Sequence, residues 1–440
     1  MHAQKSARKI LLMRNVLLKS IIMLLLAAGL SIDVMAQADV DSPYSLFGVG
    51  QVRDKSMNVR LKGMGGVANA MFGLGMINVE NPATYAKIDS LAFLFDASIY
   101  FKSSMFSTSN LSERSANASF DYVSMAFGLM PWWKLALGAQ PYSATGYTML
   151  VNGSQPEVGN FTNRFKGTGG LNQAFVGTAF KLGKHFSIGA NGYFVFGNTK
   201  TETTLYFPDS LYMIGSRRSV DLMVKSFMFD YGLLYDTKIN DDLHLSVGLT
   251  YTQSVKLSGV QTLFVRSIEE DADTEIEYTI DTVFNSTNKT KITMPQGFGG
   301  GIALQKGDRW GVGIDFNWTQ WSKFAREGVT EPLQNSWKVS LGGEFVPRHS
   351  SISNYFTRVT YRFGGFYEQG YLNLNGYNIN KVGVTAGMSL PLPKTLSKVN
   401  LAVELGQYGT RMAGLIQERY IRADVGVSVF EHWFMKRKYR

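Results

Sequence analysis

The sequence of 440 residues contains no cysteine. This absence excludes disulfide bonds, thiolate metal sites, cysteine nucleophiles and the lipidated cysteine of a lipoprotein. Long hydrophobic runs are also missing beyond the first 36 residues, where no segment offers about 18 consecutive apolar residues without charge. The mature chain is therefore expected to have no transmembrane helix.

The excess of positive charge is smaller than the total suggests. The formal net charge is +10, but the first 36 residues hold five cations and one acid, which leaves +6 for the remainder. Four more cations lie together within residues 436–440. The central part is nearly balanced, so no nucleic-acid partner is predicted.

The first 36 residues have the pattern of a secretory signal peptide. Basic residues precede an apolar run from Ile21 to Leu30, and Val34 and Ala36 suit cleavage after Ala36. We therefore expect residues 1–36 to be removed. Export without a membrane helix indicates the outer membrane of a Gram-negative cell.

Apolar and polar residues alternate along much of the chain, which is typical of strands with two different faces. The clearest examples are Trp310–Trp318 and Ile421–Val429. From residue 91 onward we count 14 such segments, or about 25 residues for each strand with its connection, as in outer-membrane barrels. A sheet that spans a bilayer must close on itself to pair its backbone groups. The pattern predicts an all-β protein, a 14-stranded antiparallel transmembrane β-barrel over residues 91–440 with a short basic C-terminal tail.

The connections alternate in length. Short turns are predicted at 130–133, 183–185, 240–242, 307–309, 348–354 and 391–398, with longer segments between them at about 102–116, 142–169, 198–218, 253–291, 322–335, 366–380 and 407–419. Short periplasmic turns and long outer loops are the expected asymmetry. The acidic stretch 265–290 is interpreted as a solvated hairpin rather than a calcium site, since it lacks the glycine-turned calcium loop.

Charged residues of both signs fall at inward positions of the predicted strands. Such residues either line an aqueous pore or pair across a filled lumen, and mixed signs favour pairing. The predicted lumen network comprises Asp96, Asp315, Lys338, Glu344, Arg358, Arg362, Arg422 and Asp424. Residues 37–90 do not follow the strand rhythm and form a separate N-terminal segment that is available as a plug.

Short motifs in this segment carry a family resemblance. Gly65, Gly66, Val67 and Ala68 are followed by Asn81, Pro82 and Ala83 just before the first predicted strand. This order resembles the FadL/TodX family of outer-membrane transporters, and Ser42–Ser45 with residues 433–438 resemble its Bacteroidetes branch. The resemblance implies a small hatch inside the lumen that includes Asn81, Pro82 and Ala83. Independently of the family, Asn81 suits the N-cap of a short helix that begins at Pro82.

The third predicted strand contains a proline, which cannot donate a ladder hydrogen bond. A bulge, a kink or an early strand end is therefore expected near Pro141. In FadL-like proteins a kink in this strand opens the wall sideways, so the resemblance implies a lateral gate at Gly138, Gln140, Pro141 and Tyr142. The alternative is a proline that only ends the strand at the outer rim.

No catalytic residue, cofactor or metal site is predicted. The mature histidines lie near the periplasmic strand ends, without zinc spacing, and no serine-hydrolase elbow occurs. The leading hypothesis is outer-membrane transport of hydrophobic small molecules, such as long-chain fatty acids, with outer-membrane lipid and an apolar ligand as partners. The alternative is a FadL-like docking component of a type IX secretion or assembly machinery, with a protein partner.

Overall fold

The computed structural model describes residues 42–53, 58–156, 159–209, 213–270, 277–307, 309–347, 354–393 and 395–432. The predicted signal peptide, Trp433 and the basic tail lie outside these ranges. No helix in the described ranges is both long and apolar enough to cross a membrane.

Fourteen antiparallel strands form a closed barrel, as the alternation predicts. The ladder runs from each strand to the next and closes where Ala92 pairs with His432. The strands are β1 (Ala92–Ser107), β2 (Ser112–Phe127), β3 (Trp133–Ala144), β4 (Gly159–Leu182), β5 (Phe186–Tyr206), β6 (Gly215–Lys238), β7 (Leu243–Thr252), β8 (Gly297–Lys306), β9 (Trp310–Thr319), β10 (Ser336–Phe345), β11 (Thr360–Leu374), β12 (Tyr377–Pro391), β13 (Lys398–Tyr408) and β14 (Gln417–His432).

Outward-facing side chains form an apolar belt around the barrel. On β9 the outward residues Trp310, Val312, Ile314 and Phe316 are exposed, whereas Asp315 between them is buried. Aromatic rings continue the belt across neighbouring strands, since Tyr251, Phe298 and Trp318 follow one another at centroid distances of 5.0 and 6.1 Å. A belt of this kind is the surface that faces hydrocarbon in a transmembrane barrel.

Several predicted outer loops are instead strands that continue beyond the belt. The segments Val255–Glu270 and Glu277–Met294 pair with each other as a hairpin, and Val255–Glu270 also pairs with β6. Another added strand, Tyr147–Gln155, pairs with β4. These segments were predicted as connections because few of their side chains are buried, so that little apolar alternation is required. The interpretation of 265–290 as part of a projecting hairpin agrees with this arrangement.

One sequence prediction about a single residue is wrong. Arg358 was predicted on an inward strand position, but it ends the 3₁₀ turn Phe356–Arg358 before β11 begins, and its guanidinium lies over the Tyr355 ring. The alternation was extended into a turn, where side-chain direction no longer follows a period of two.

The remaining elements are short. A two-residue strand, Gln51–Val52, the helix Val59–Lys62 and the 3₁₀ helices Pro43–Leu46 and Pro82–Lys87 belong to the N-terminal segment. The connection between β9 and β10 holds the 3₁₀ turn Trp321–Lys323 and the strands Ala325–Arg326 and Val329–Thr330, and the β13 to β14 connection holds the 3₁₀ turn Met412–Gly414.

Candidate functional site

The N-terminal segment lies against the inner face of the barrel. Ala68 N and Asn69 N donate to the Asp315 carboxylate on β9 at 2.6 and 2.7 Å. On the opposite wall, Asn58 Nδ2 donates to Asp96 on β1 at 2.7 Å. Because these contacts reach both sides of the lumen, the segment crosses it.

Asn81 joins a helix start to the wall. Its side-chain oxygen accepts from Ala83 N at 3.0 Å and so caps the 3₁₀ helix Pro82–Lys87. Its amide nitrogen donates to Asn69 O at 2.6 Å and to Leu233 O on β6 at 3.2 Å. Asn81, Pro82 and Ala83 are all buried. The residue type that suits a helix cap thus also ties this helix to the rest of the segment and to the barrel.

Glycines on the wall allow the segment's backbone to approach closely. A Cβ added at Gly342 on β10 would lie 2.1 Å from Met64 O, and one added at Gly364 on β11 would lie 2.2 Å from Met64 C. Real Cβ atoms do not tolerate such contacts. Glycine at these two positions therefore sets how closely residue 64 packs against the wall.

The predicted lumen network divides into separate clusters. In the first, Asp96 accepts from Asn58, from Tyr122 Oη at 2.9 Å and from Ser428 Oγ at 3.0 Å. In the second, Arg422 bridges Asp424 at 2.8 Å and Asp121 at 2.9 Å. Lys62 from the N-terminal segment pairs with the same two carboxylates.

A third cluster connects the segment to β10 and β11. Glu344 accepts from Arg362 Nε at 2.8 Å and from Arg60 Nε at 3.0 Å. Arg362 is also bonded to Ser389 Oγ at 2.7 Å and is only 1% exposed. Asp315 and Lys338, the other predicted members, lie apart from these clusters, and Lys338 Nζ lies 4.7 Å from the Phe366 ring centroid.

Sequence reasoning missed the partners that the N-terminal segment supplies. Asn58, Arg60 and Lys62 stand in and before one short helix, and each meets a carboxylate on the wall. The alternating apolar and basic residues from Val59 to Lys62 were the available signal. Only the fold reveals the partner, since Arg60 and Glu344 are 284 positions apart.

Apolar packing fills the lumen at its outer end. Tyr44 and Val49 belong to a buried cluster with side chains of the wall and of the β9 to β10 connection, including Leu171, Val195, Leu222, Trp321, Phe324 and Leu333. Arg326 Nη2 donates to Gly48 O at 2.5 Å. Burial raises the pKa of Tyr44 to about 12, and its hydroxyl donates to Ile416 O at 2.6 Å. Likewise, burial raises the pKa of Tyr85, which donates to Asn191 Oδ1.

The barrel wall is interrupted between β2 and β3. The β2–β3 ladder ends at the pair Val123 and Ala139. On its other side β3 stays paired with β4 through Gln140 and Pro141, with a register shift before Ser143. Beyond the break, β3 pairs with the N-terminal segment instead, with Val52 opposite Ser143.

The four residues predicted as a gate lie around this break. Gly138 is still within the β2–β3 ladder, opposite Ser124. Gln140 and Pro141 line a chamber inside the lumen, and Tyr142 is buried and accepts from Arg53 N through its carbonyl at 3.0 Å. The ladder is thus intact on one side of Gln140 and Pro141 and broken on the other.

Two chambers of about 140 and 190 Å³ lie in the lumen near the break. The first has charged and aromatic walls, where Arg422 lies 4.2 Å from the Tyr100 ring centroid and Lys381 lies 4.9 Å from that of Phe366. Val52, Arg53 and Gly66 of the N-terminal segment line both chambers. Each chamber is smaller than the roughly 300–1,000 Å³ of a typical small-molecule pocket.

Two histidines of the described residues, His185 and His244, both lie beside Asp236. His244 Nδ1 lies 3.5 Å from Asp236 Oδ1, and His185 Nδ1 contacts the Asp236 carbonyl at 3.0 Å. Lys87 of the N-terminal segment pairs with the same aspartate at 2.7 Å. His349 lies outside the described residues.

The sequence model of the BamG family matches residues 17–440. The chain belongs to the BamG family. No curated protein matches this BamG-family chain.

Solved structures share the fold of this BamG-family barrel at low sequence identity. The Pseudomonas putida toluene transporter TodX is 16% identical, with 88% of this chain and 100% of that chain covered and a TM-score of 0.55. The CymD monoaromatic hydrocarbon channel is 14% identical, with coverage of 88% and 100% and a TM-score of 0.54. A Pseudomonas aeruginosa FadL homologue is 12% identical, with coverage of 86% and 98% and a TM-score of 0.56. The resemblance to the FadL/TodX family is confirmed at the level of the fold, whereas the Bacteroidetes branch stays a prediction.

Proposed function

We propose that this chain is an outer-membrane transporter of hydrophobic small molecules, which leave the lumen sideways between β2 and β3. The observation that carries the proposal is the end of the β2–β3 ladder at Val123 and Ala139, with a lumen chamber directly behind Gln140 and Pro141. An apolar molecule gains by entering the membrane there rather than the aqueous periplasm. The fold is shared with the CymD hydrocarbon channel and the toluene transporter TodX, which supports an apolar small molecule as the transported compound.

The N-terminal segment acts as a movable hatch in this proposal. Its strand Gln51–Val52 occupies the edge of β3 that β2 leaves unpaired, and its residues separate the two chambers. Two ladder positions hold this strand, whereas the network of Arg60 and Lys62 anchors the segment below. Release of the short strand joins the chambers without moving the anchored part.

A disulfide between the hatch strand and β3 tests the proposal. Val52→Cys with Ser143→Cys places thiols on directly paired antiparallel positions, and the natural chain offers no competing thiol. Uptake of radiolabelled oleate and of toluene is measured in cells. We expect the oxidised double variant to lose uptake and a reductant to restore it.

The matched control is Thr262→Cys with Thr287→Cys, a paired position in the projecting hairpin. This disulfide lies far from the hatch strand and should leave uptake unchanged. Full uptake through the oxidised Val52–Ser143 pair, with the cross-link verified by mass spectrometry, would refute passage by release of this strand.

A second candidate function is docking of a protein partner in a secretion or assembly machinery. It is favoured by the hairpin strand Glu277–Met294, whose Tyr278, Ile280, Val283 and Phe284 are about half exposed or more. Exposed apolar residues outside the membrane mark interaction surfaces when they cluster. Native mass spectrometry of gently solubilised protein separates the candidates, because transport predicts a bound apolar small molecule and docking predicts a stable protein partner.

A further inference from the structure

Four lysines stand together on the outer surface of the barrel, in what we term the lysine groove: Lys225 on β6, Lys256 on Val255–Glu270, and Lys289 and Lys291 on Glu277–Met294. All four are exposed and line one open groove of about 910 Å³. Their positions follow from the ladder, in which Ser258 is opposite Lys291 and Gly259 is opposite Val224. Leu257, Thr290 and Ile292 are buried, so the alternating lysines point outward.

The lysine groove lies directly above the apolar belt. Phe227, two positions from Lys225 on the same face of β6, is 60% exposed. On β7 and β8, the aromatic pair Tyr251 and Phe298 closes the belt a few residues below Lys256 and Lys291. Side chains at this height meet the headgroups of the outer leaflet, where long lysine side chains extend their ammonium groups toward the interface.

The positive charge of the lysine groove is not compensated by ion pairs in the described part of the chain. By contrast, Lys200 and Arg217 on the outer parts of β5 and β6 share Glu202 at 2.8 and 4.0 Å. One carboxylate, that of Glu327, lines the groove. Glu327 is exposed. It contacts Lys291 through its backbone, because Glu327 N donates to Lys291 O at 2.9 Å.

We propose that the lysine groove binds the phosphate groups of a phosphorylated glycolipid in the outer leaflet, of the lipid A type. Ammonium groups bind phosphate as point charges, and four of them match a headgroup that carries two phosphates. The belt below supplies the surface for the acyl chains, which a free phosphate does not use. The proposal rests on the outer-membrane location proposed above and does not depend on what the barrel transports.

Binding of purified lipid A to the detergent-solubilised protein, followed by native mass spectrometry, tests the site. The test variant replaces Lys225, Lys256, Lys289 and Lys291 with Gln. The matched control makes the same charge change at the opposite ends of nearby strands and in the adjoining β4–β5 turn, with Lys181, Lys184, Lys238 and Lys306 replaced by Gln. Since one lysine near an anionic lipid surface changes affinity roughly fivefold, we expect the test variant to bind at least about tenfold more weakly and the control to bind as the wild type does.

Three further measurements decide the source of the phosphate and the integrity of the barrel. Lipid A stripped of both phosphates should bind the wild type and the test variant equally weakly. Inorganic phosphate at the same concentration should not compete. Equal loss of lipid A binding in the test and control variants would overturn the proposal, and so would full binding of the stripped lipid. Competition by inorganic phosphate would overturn it by assigning the groove to a free anion instead. Retained heat-modifiable migration in gels verifies that each variant is a folded barrel.

Discussion

Glu344 shows how single side chains hold the N-terminal segment in place. Two arginines meet this carboxylate, Arg362 from the neighbouring strand and Arg60 from the segment. All three side chains are largely removed from water. Removing one partner of a buried ion pair leaves an uncompensated charge, which costs more than the pair itself contributes.

Glu344→Gln is therefore expected to lower the free energy of unfolding by about 3 kcal/mol. The measurement is urea unfolding in lipid vesicles, followed by tryptophan fluorescence. Glu113→Gln is the control, because Glu113 is exposed on β2 and a surface change of this kind stays within about 0.5 kcal/mol. Equal effects of the two substitutions would contradict a structural role for the Glu344 cluster.

Gly364 gives a second prediction at this scale. Gly364→Ala places a Cβ 2.2 Å from Met64 C, where backbone rather than a flexible side chain must shift. We expect a loss of about 1–3 kcal/mol in unfolding free energy from overpacking, together with faster proteolysis within residues 58–90. Gly300→Ala on the outer face is the control, because the nearest atom to its Cβ is a Leu249 side-chain carbon at 3.5 Å. An unchanged protease pattern in Gly364→Ala would show that the close approach does not hold the segment.

At the scale of elements, β2 and β3 are the place where the wall changes partners. Above Val123, β2 is paired with β1 but has no described ladder to β3. The upper end of β3 is paired with β4 and with Gln51–Val52. In an antiparallel sheet successive amides point to opposite neighbours, so part of upper β2 has amides without a ladder acceptor.

Hydrogen exchange measures this directly. Amides of residues 113–122 that point toward β3 should exchange faster than those of β1, which is paired on both sides with β2 and β14. The lower part of β2, residues 123–127, is the internal control because its ladder to β3 is present. Uniform protection along β2 would mean that the two strands pair fully in the membrane and that the break is absent there.

At the scale of the whole molecule, the barrel is closed around a lumen that is filled rather than open. Apolar side chains fill its outer end, ion pairs anchor the N-terminal segment to the wall, and the two chambers beside the break are small. A general diffusion pore needs a continuous aqueous path, whereas in the described part of the chain the N-terminal segment lies across the lumen.

Planar-bilayer recordings should therefore show little ion conductance for the intact protein. Deletion of residues 42–86 removes the segment but keeps every barrel strand, and it should produce a steady conductance because the part of the chain that crosses the lumen is then gone. Heat-modifiable migration in gels establishes that the deleted form is a folded barrel. Conductance of the intact protein at the level of the deletion variant would contradict a filled lumen.

The sequence by itself determined the barrel, because a period-two alternation with lengths set by the bilayer leaves few other architectures. It also determined which residues on β9 face lipid and where a proline disturbs β3. The tertiary structure alone decided the partners, since the pairs Arg60 with Glu344 and Val52 with Ser143 join positions far apart in the chain. It also decided that Arg358 leaves the predicted pattern, because turns obey local backbone geometry rather than the alternation. The lysine groove belongs to the same group, because register across three strands places its members side by side.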